Sequence, residues 1–236
     1  SLSDYSGETY GLTVIEAMST ALPVVISKFA GYKTHITDGE EGYYIPTVSC
    51  DFGQNLPENF FDHVSFGHFY SQTIVPDYEV LLQRLNDLLM SPTLRQQMGR
   101  KARERIVEAH TFDAMIERYV AIILQCVENN QCKPCKLTQQ RNEQLLQWMK
   151  HQPTTLLHSS ATLALTRTTK QLLEKKESFF LFENQWKEYA YVRHIIHELQ
   201  QSPQTMAQLS EKLSVELSVI QKNCLFLLKQ CCLNIK

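Results

Sequence analysis

Two carboxylates near the start of the chain, Glu8 and Glu16, bracket a single glycine, Gly11, in the stretch Ser6-Gly-Glu-Thr-Tyr-Gly-Leu-Thr-Val-Ile-Glu-Ala-Met-Ser-Thr-Ala-Leu-Pro-Val-Val-Ile26. A glycine where a loop turns into a helix lets an anion approach bare backbone. The first N–H groups of the helix have no partner within it and point at that anion. Glu16, about a turn and a half into the helix, can accept from the paired hydroxyls of a ribose. Glu8, in the loop before the glycine, can do the same for a second sugar. The spacing therefore suits a ligand with a sugar at one end, phosphate in the middle and ribose at the other, the layout of a nucleotide sugar. The plain alternative is an ordinary αβ unit with a surface Glu8 and a solvated Glu16.

The elements that must position these groups follow in order. Residues 1–5 read as the end of a strand. Leu12, Ile15 and Met18 recur at helical spacing and predict a helix over 11–20 with those residues buried. Pro23 stops it, and Val24-Val25-Ile26 is a β-branched run typical of a buried parallel strand over 23–27. Phe29 to His35 reads as a loop turning at Gly31. Asp38-Gly39 and Glu41-Gly42 are turn signals, and Tyr43-Tyr44-Ile45 is a short strand closed by Pro46. Residues 47–78 read as a long Phe-rich loop with a helical turn at 57–63. Its Asp62, His63 and His68 are not taken as a metal set, because five-residue spacing separates the histidines on a helix. An amphipathic helix is predicted over 78–91 with Val80, Leu81, Leu85, Leu88 and Leu89 inward. A second is predicted over 92–109, opened by Ser91-Pro92. Its basic run (Arg95, Arg100, Lys101, Arg103, Arg105) is interleaved with Glu104 and Glu108 and reads as a solvated face. A third helix runs from Phe112-Asp113 to about Cys126.

The opening stretch resembles the Glu-x7-Glu signature of retaining family-4 glycosyltransferases of the GT-B architecture. The resemblance continues in Ser27-Lys-Phe-Ala-Gly-Tyr-Lys, in Thr37-Asp-Gly-Glu-Glu-Gly-Tyr-Tyr-Ile-Pro46, at Leu94-Arg-Gln-Gln-Met-Gly-Arg-Lys-Ala-Arg103 and at His110-Thr-Phe-Asp, covering roughly residues 1 to 125. It implies that Glu16 holds the ribose diol, that Glu8 lies at the donor sugar as the catalytic carboxylate, and that the backbone of Gly11, Leu12 and Thr13 holds phosphate beside Tyr10. It places the 29–35 loop near the donor, which makes Lys33 a further donor-binding candidate. Two positions depart from the family: it usually has glycine where this chain has Ala21, and often an acid where it has Thr34. The resemblance also implies a chain that begins inside the second of two Rossmann-like domains, so that the acceptor-binding half and a basic pair for the diphosphate are expected to be missing, and the fragment alone inactive.

Composition bounds the rest. At 43% apolar and 20% charged, 236 residues suffice for one or two globular domains. No apolar run is long enough for a membrane span, and no signal peptide is visible. Seven irregularly spaced cysteines fit a reducing cytoplasm better than a disulfide framework. Cys132-Lys-Pro-Cys135 with Cys126 offers a redox pair, or three thiols where a structural zinc site takes four ligands, and reads ahead of both as a linker with free thiols. Residues 1–135 carry 10 Lys and Arg against 17 Asp and Glu, about −7; residues 136–236 carry 13 against 8, about +5. This asymmetry predicts a boundary at 135, between a partial donor-binding domain (1–135) and a helical domain (136–236). An acidic first part argues against nucleic acid as its partner.

In the second part, Leu137 to His151 reads as one helix and 154–177 as another, through Leu156, Leu157, Leu163, Leu172 and Leu173, with Phe179 to Phe182 and Trp186 as aromatic core. Three helices follow, over 189–200, 202–213 and 214–230. Residues 187–236 thus resemble a helix-turn-helix or winged-helix module, stopping before a complete wing. A base-reading third helix needs Arg, Lys, Asn or Gln on its open face. Glu216, Ser218, Gln221, Lys222 and Asn223 make a poor set, which favours a protein-contact or substrate-docking module over DNA binding. His194 and His197, three apart, read as half-buried histidines rather than metal ligands.

The fold class expected is α/β, a Rossmann-like C-terminal half of a GT-B glycosyltransferase truncated at its N-terminus, followed by a mostly α-helical domain with a winged-helix-like end. The expected function is hexosyl transfer, with retention, from a nucleotide-sugar donor to an acceptor hydroxyl on a saccharide, a lipid-linked group or a protein. No cofactor and no metal are expected. The alternative is a non-catalytic interaction scaffold built on a degenerate glycosyltransferase half.

Overall fold

The computed structural model describes residues 1–4, 8, 10–50, 67, 70–129, 151–174 and 189–236. The chain forms two compact units that interleave along the sequence: one from 1–3, 8–45 and 79–151, the other from 4–7, 46–78 and 152–236. The boundary expected at 135 lies outside the described residues, as do Asp62, His63, His68, the 57–63 turn, Cys132, Cys135, the body of the 137–151 helix, Phe179 to Phe182 and Trp186.

The first unit contains helix α1 (Leu12–Ser19), strand β1 (Val24–Ser27), a 3-10 helix (Ala30–Thr34), strand β2 (Gly42–Ile45) and helices α2 (Tyr78–Met90, from Glu79 on), α3 (Pro92–Ala109) and α4 (Phe112–Asn129). β1 and β2 are parallel, with Val24 opposite Gly42 and Ser27 opposite Ile45. Residues 1–3 run beside β1: the Ser27 amide donates to the Ser1 carbonyl, and the Ser27 hydroxyl donates to that of Ser3. Side chains alternate across the strands, as the two-residue period requires. Val24, Ile26 and Tyr44 pack with Val14, Met18, Tyr32, Ile36, Ala102 and Ile106 on one face. Val25 and Tyr43 meet Leu88, Leu94 and Met98 on the other. Helix α3 thus serves both faces, and Gly99 lets it pass close: a Cβ there would lie 2.0 Å from the Ala21 carbonyl oxygen.

The buried face of α1 is rotated from the expected one. Val14 and Met18, four apart, are buried, whereas Leu12 is 64% exposed and Ile15 half-buried. In α2 only Leu88 is buried, and Leu85 and Leu89 face outward at 40% and 74% exposure. Within the basic run of α3, Arg100, Lys101 and Arg103 are exposed, as a solvated face requires, while Arg95 and Arg105 are partly buried. Arg95 donates to the Leu88 and Leu89 carbonyls, Arg103 to that of Ser19, and Arg105 to Glu41 and the Thr34 carbonyl. The first two cap carbonyls at the C-terminal ends of α2 and α1, where cations are favoured.

The second unit holds two three-stranded sheets. In one, β3 (Thr47–Cys50) lies between antiparallel β4 (Val75–Pro76) and parallel β5 (Thr155–Leu157). In the other, β6 (Thr162–Leu165) lies between β7 (Gln204–Thr205) and β8 (Leu233–Ile235), antiparallel to both. Helices α5 (Arg167–Glu174), α6 (Val192–Gln201), α7 (Met206–Leu213) and α8 (Leu217–Lys229) complete it. Across its described residues, 154–174, the helix expected over 154–177 is therefore two strands and a short helix. Leu163 and Leu165, two apart, enter the core together, and the neighbouring strands supply the ladder bonds that a local reading cannot anticipate. Among its described residues the second part thus carries short strands beside helices that account for most of its regular structure.

Around the expected helix-turn-helix, Thr205 caps α7 in a reciprocal capping box with Gln208. Ser214 leaves that helix in the left-handed region at φ 52°. Helix α8 is central: Ile220, Cys224, Leu225 and Leu227 are fully buried, and so is Asn223; Gln221 is 5% exposed. Among the described residues no helix is long and apolar enough to cross a membrane.

Candidate functional site

The site begins at Gly11. Its backbone is left-handed (φ 70°, ψ 60°), and it opens α1. A Cβ here would lie 2.3 Å from the Tyr32 ring, so glycine is required both by conformation and by space. The first helical bonds run from the Val14 and Ile15 amides to the Gly11 carbonyl. The N–H groups of Leu12 and Thr13 therefore have no acceptor within the helix. Leu12 and Thr13 are exposed, and Glu16 is exposed one turn on.

The structure places Glu8 in a definite role. One of its carboxylate oxygens, Oε1, accepts the Gly11 N–H at 2.8 Å. An anionic side chain caps the loop where the helix begins, the end at which negative charge is favoured. Glu8, Gly11, Leu12, Thr13 and Glu16 are thus grouped on one loop and one helix turn. Lys33 is directed elsewhere, its ammonium donating to the His151 carbonyl at 2.6 Å. Burial, with Lys28 nearby, lowers its pKa. Tyr10, 47% exposed, sits between two histidines. The His35 Nε2 donates to its carbonyl, and its hydroxyl lies 2.9 Å from His110 Nδ1. The Tyr10 ring stands edge-on to His35 at 5.4 Å between centroids, and the two imidazoles are 6.4 Å apart.

Both imidazoles are held below their ordinary value. Burial does most of this at His35, and Arg105 adds to it, against the Tyr10 carbonyl and Glu8, which favour the charged form. At His110 burial leads, followed by His35, Arg118 and Arg105. Sequence reasoning quoted His110 only within the family resemblance and passed over His35. Nothing in a single His between Thr34 and Ile36 signals a bond to a carbonyl 25 residues earlier.

Ala21 has φ 61°. The glycine that the resembled family carries there would remove a strain that alanine bears in the left-handed region. Thr34 is exposed, its hydroxyl donating to the Gly31 carbonyl.

Residues 1–51 match the family model Glycosyl transferases group 1. This matched stretch contains Glu8, Gly11, Glu16 and Lys33. The trehalose synthase of Pyrococcus horikoshii is 28% identical over 116 residues, which are 49% of this chain and 21% of that protein. The sucrose synthase of Acidithiobacillus caldus is 29% identical over 119 residues, 49% of this chain and 12% of that protein. The chain therefore spans about a fifth and about an eighth of these relatives. No solved structure matches it. The family model and both relatives point to glycosyltransferases. The matched stretch ends at 51, before the strands of the second unit's second sheet, which lie within 162–235.

Proposed function

We propose that residues 8–16 bind the nucleotide-sugar donor of a retaining glycosyltransferase of the GT-B type, family-4-like. Glu16 takes the ribose diol, the amides of Leu12 and Thr13 take the diphosphate, and Glu8 lies at the sugar. The observation that carries this is the left-handed Gly11, flanked by two carboxylates at the mouth of a helix whose first amides are open. Catalysis in such a site is positioning and stabilisation of the departing diphosphate by preorganised N–H groups. In this reading Glu8 lets go of the Gly11 amide when donor binds, which frees that N–H for phosphate and the carboxylate for a sugar hydroxyl. The Lys33 amine would have to leave the His151 carbonyl to reach a donor, so it ranks below the loop residues. The acceptor and the transferred hexosyl group belong to the whole protein's activity.

Saturation-transfer NMR on the intact protein with UDP, GDP, ADP and their common sugar conjugates tests it. Ribose protons of one nucleotide should saturate, and Glu16→Ala should weaken that binding about 10- to 100-fold, as the loss of one or two hydrogen bonds to a charged acceptor implies. Absence of binding by all of them in the folded protein refutes the donor site.

One observation favours the interaction scaffold as the second reading. Helix α4 exposes Phe112, Ile116, Tyr119, Ile123 and Val127, an apolar stripe at helical spacing. In the second unit, Gln221 and Asn223 are buried and cannot meet base edges, so a protein partner remains the proposal for 136–236.

A further inference from the structure

We propose that His35 is a positioning residue that fixes the plane of the Tyr10–Gly11 peptide and, through it, the direction in which the first amides of α1 point. This rests on the donor-site reading for its functional consequence, but the geometry stands by itself. In a trans peptide the carbonyl and the N–H point in opposite directions. Here the Tyr10 carbonyl accepts from His35 Nε2 and the Gly11 N–H donates to Glu8. One peptide unit is gripped on both edges, by side chains 27 residues apart.

Such a grip is needed because Gly11 does not select its own conformation. Glycine populates positive and negative φ about equally, so the peptide before it can turn over at little cost. A reversed peptide would set the Tyr10 carbonyl against the Glu8 carboxylate, acceptor against acceptor, and the start of the helix would no longer be held in register with the loop. His35 opposes this. It is 2% exposed, beside Tyr32 and Ile36. A buried imidazole is tolerated only with a hydrogen-bond partner, and the partner is the Tyr10 carbonyl. His110 adds a second tether through the Tyr10 hydroxyl. The groups facing the pair are Glu8 from the loop, Arg105 from α3 and Arg118 from α4. None of them replaces a donor at the Tyr10 carbonyl.

The test compares His35→Leu, which fills the space without a donor, with His35→Gln, whose amide nitrogen reaches about as far as Nε2. Two readouts are taken on the intact protein: hydrogen exchange at the Gly11 amide by NMR, and the dissociation constants of UDP, GDP and ADP by calorimetry. The leucine variant should speed Gly11 exchange about tenfold and weaken whichever nucleotide the unaltered protein binds by about tenfold, the effect of one neutral hydrogen bond. The glutamine variant should bring both back to within about threefold. Unchanged Gly11 exchange in His35→Leu overturns the proposal, and so does a glutamine variant that behaves like leucine. If the unaltered protein binds none of the three nucleotides, the donor-site reading falls, and Gly11 exchange alone decides the positioning role. Should leucine overpack the site, His35→Ala takes its place with the same reading.

Discussion

At the residue scale, one backbone conformation organises the site. Gly11 is left-handed under the Tyr32 ring, and its neighbours exist to hold it there. The contrast with Ala21 is instructive. Both residues lie at the ends of α1 and both have positive φ, but only one is glycine. Ala21→Gly should raise stability by about 0.5–1 kcal/mol, the left-handed cost to alanine less the entropy glycine adds to the unfolded chain. The denaturant midpoint measures it. The histidine pair gives a pH dependence whose sign follows from its lowered pKa values. Each imidazole prefers to be neutral when folded, so the unfolded chain binds more protons below 6.5, the ordinary value. Stability is complete above that pH and is lost as pH falls below it toward the lowered folded values. A thermal melting series from pH 7.5 to 5 should show the fall, and His35→Gln should flatten it. A profile identical in the variant would remove His35 as its source.

At the element scale, α3 does more than its amphipathic pattern suggests. It covers both faces of the β1–β2 pair, and its arginines engage the carbonyls at the ends of α1 and α2. Gly99 is where it comes nearest the turn after α1. With a Cβ placed 2.0 Å from a backbone oxygen, Gly99→Ala cannot be absorbed by a rotamer change. It should cost about 2–3 kcal/mol despite the better helix propensity of alanine, read as a lowered denaturant midpoint with unchanged slope. A neutral or stabilising result would mean that the helix sits farther from Ala21. Ser91-Pro92 behaves as its sequence implies: the Ser91 hydroxyl accepts the Leu94 amide, with proline at the first helical position.

At the scale of the molecule, each unit draws on stretches distant in sequence. Residues 46–78 belong with 152–236. β5 has β3 as its neighbour in the sheet, and Lys229 meets both Asp4 and the Ser71 carbonyl at 2.6 Å. A piece comprising 136–236 alone would lack β3, β4, Tyr78 and Asp4. It should therefore fail to fold cooperatively, with broad amide NMR dispersion absent, whereas a folded 136–236 would show that β3 and β4 are dispensable.

Much of the first unit could be read locally because its signals are local. Gly11 at a loop–helix junction, Pro23 after the helix, the β-branched Val24-Val25-Ile26 and the Ser91-Pro92 cap each act through the backbone of their own segment. The spacing of Glu8 and Glu16 around Gly11 is likewise a property of the chain, and the family match over 1–51 covers the same residues. The rest depended on partners distant in sequence. Residues 155–157 and 162–165 are strands because β3 and β8 lie beside them. The outward turn of Leu12 follows from the packing of Val14 and Met18 against Tyr32 and Ala102. His35 meets Tyr10 only once the chain between them has folded back. Hydrogen bonds and burial across such separations have no periodicity to read, so only the folded molecule could assign them.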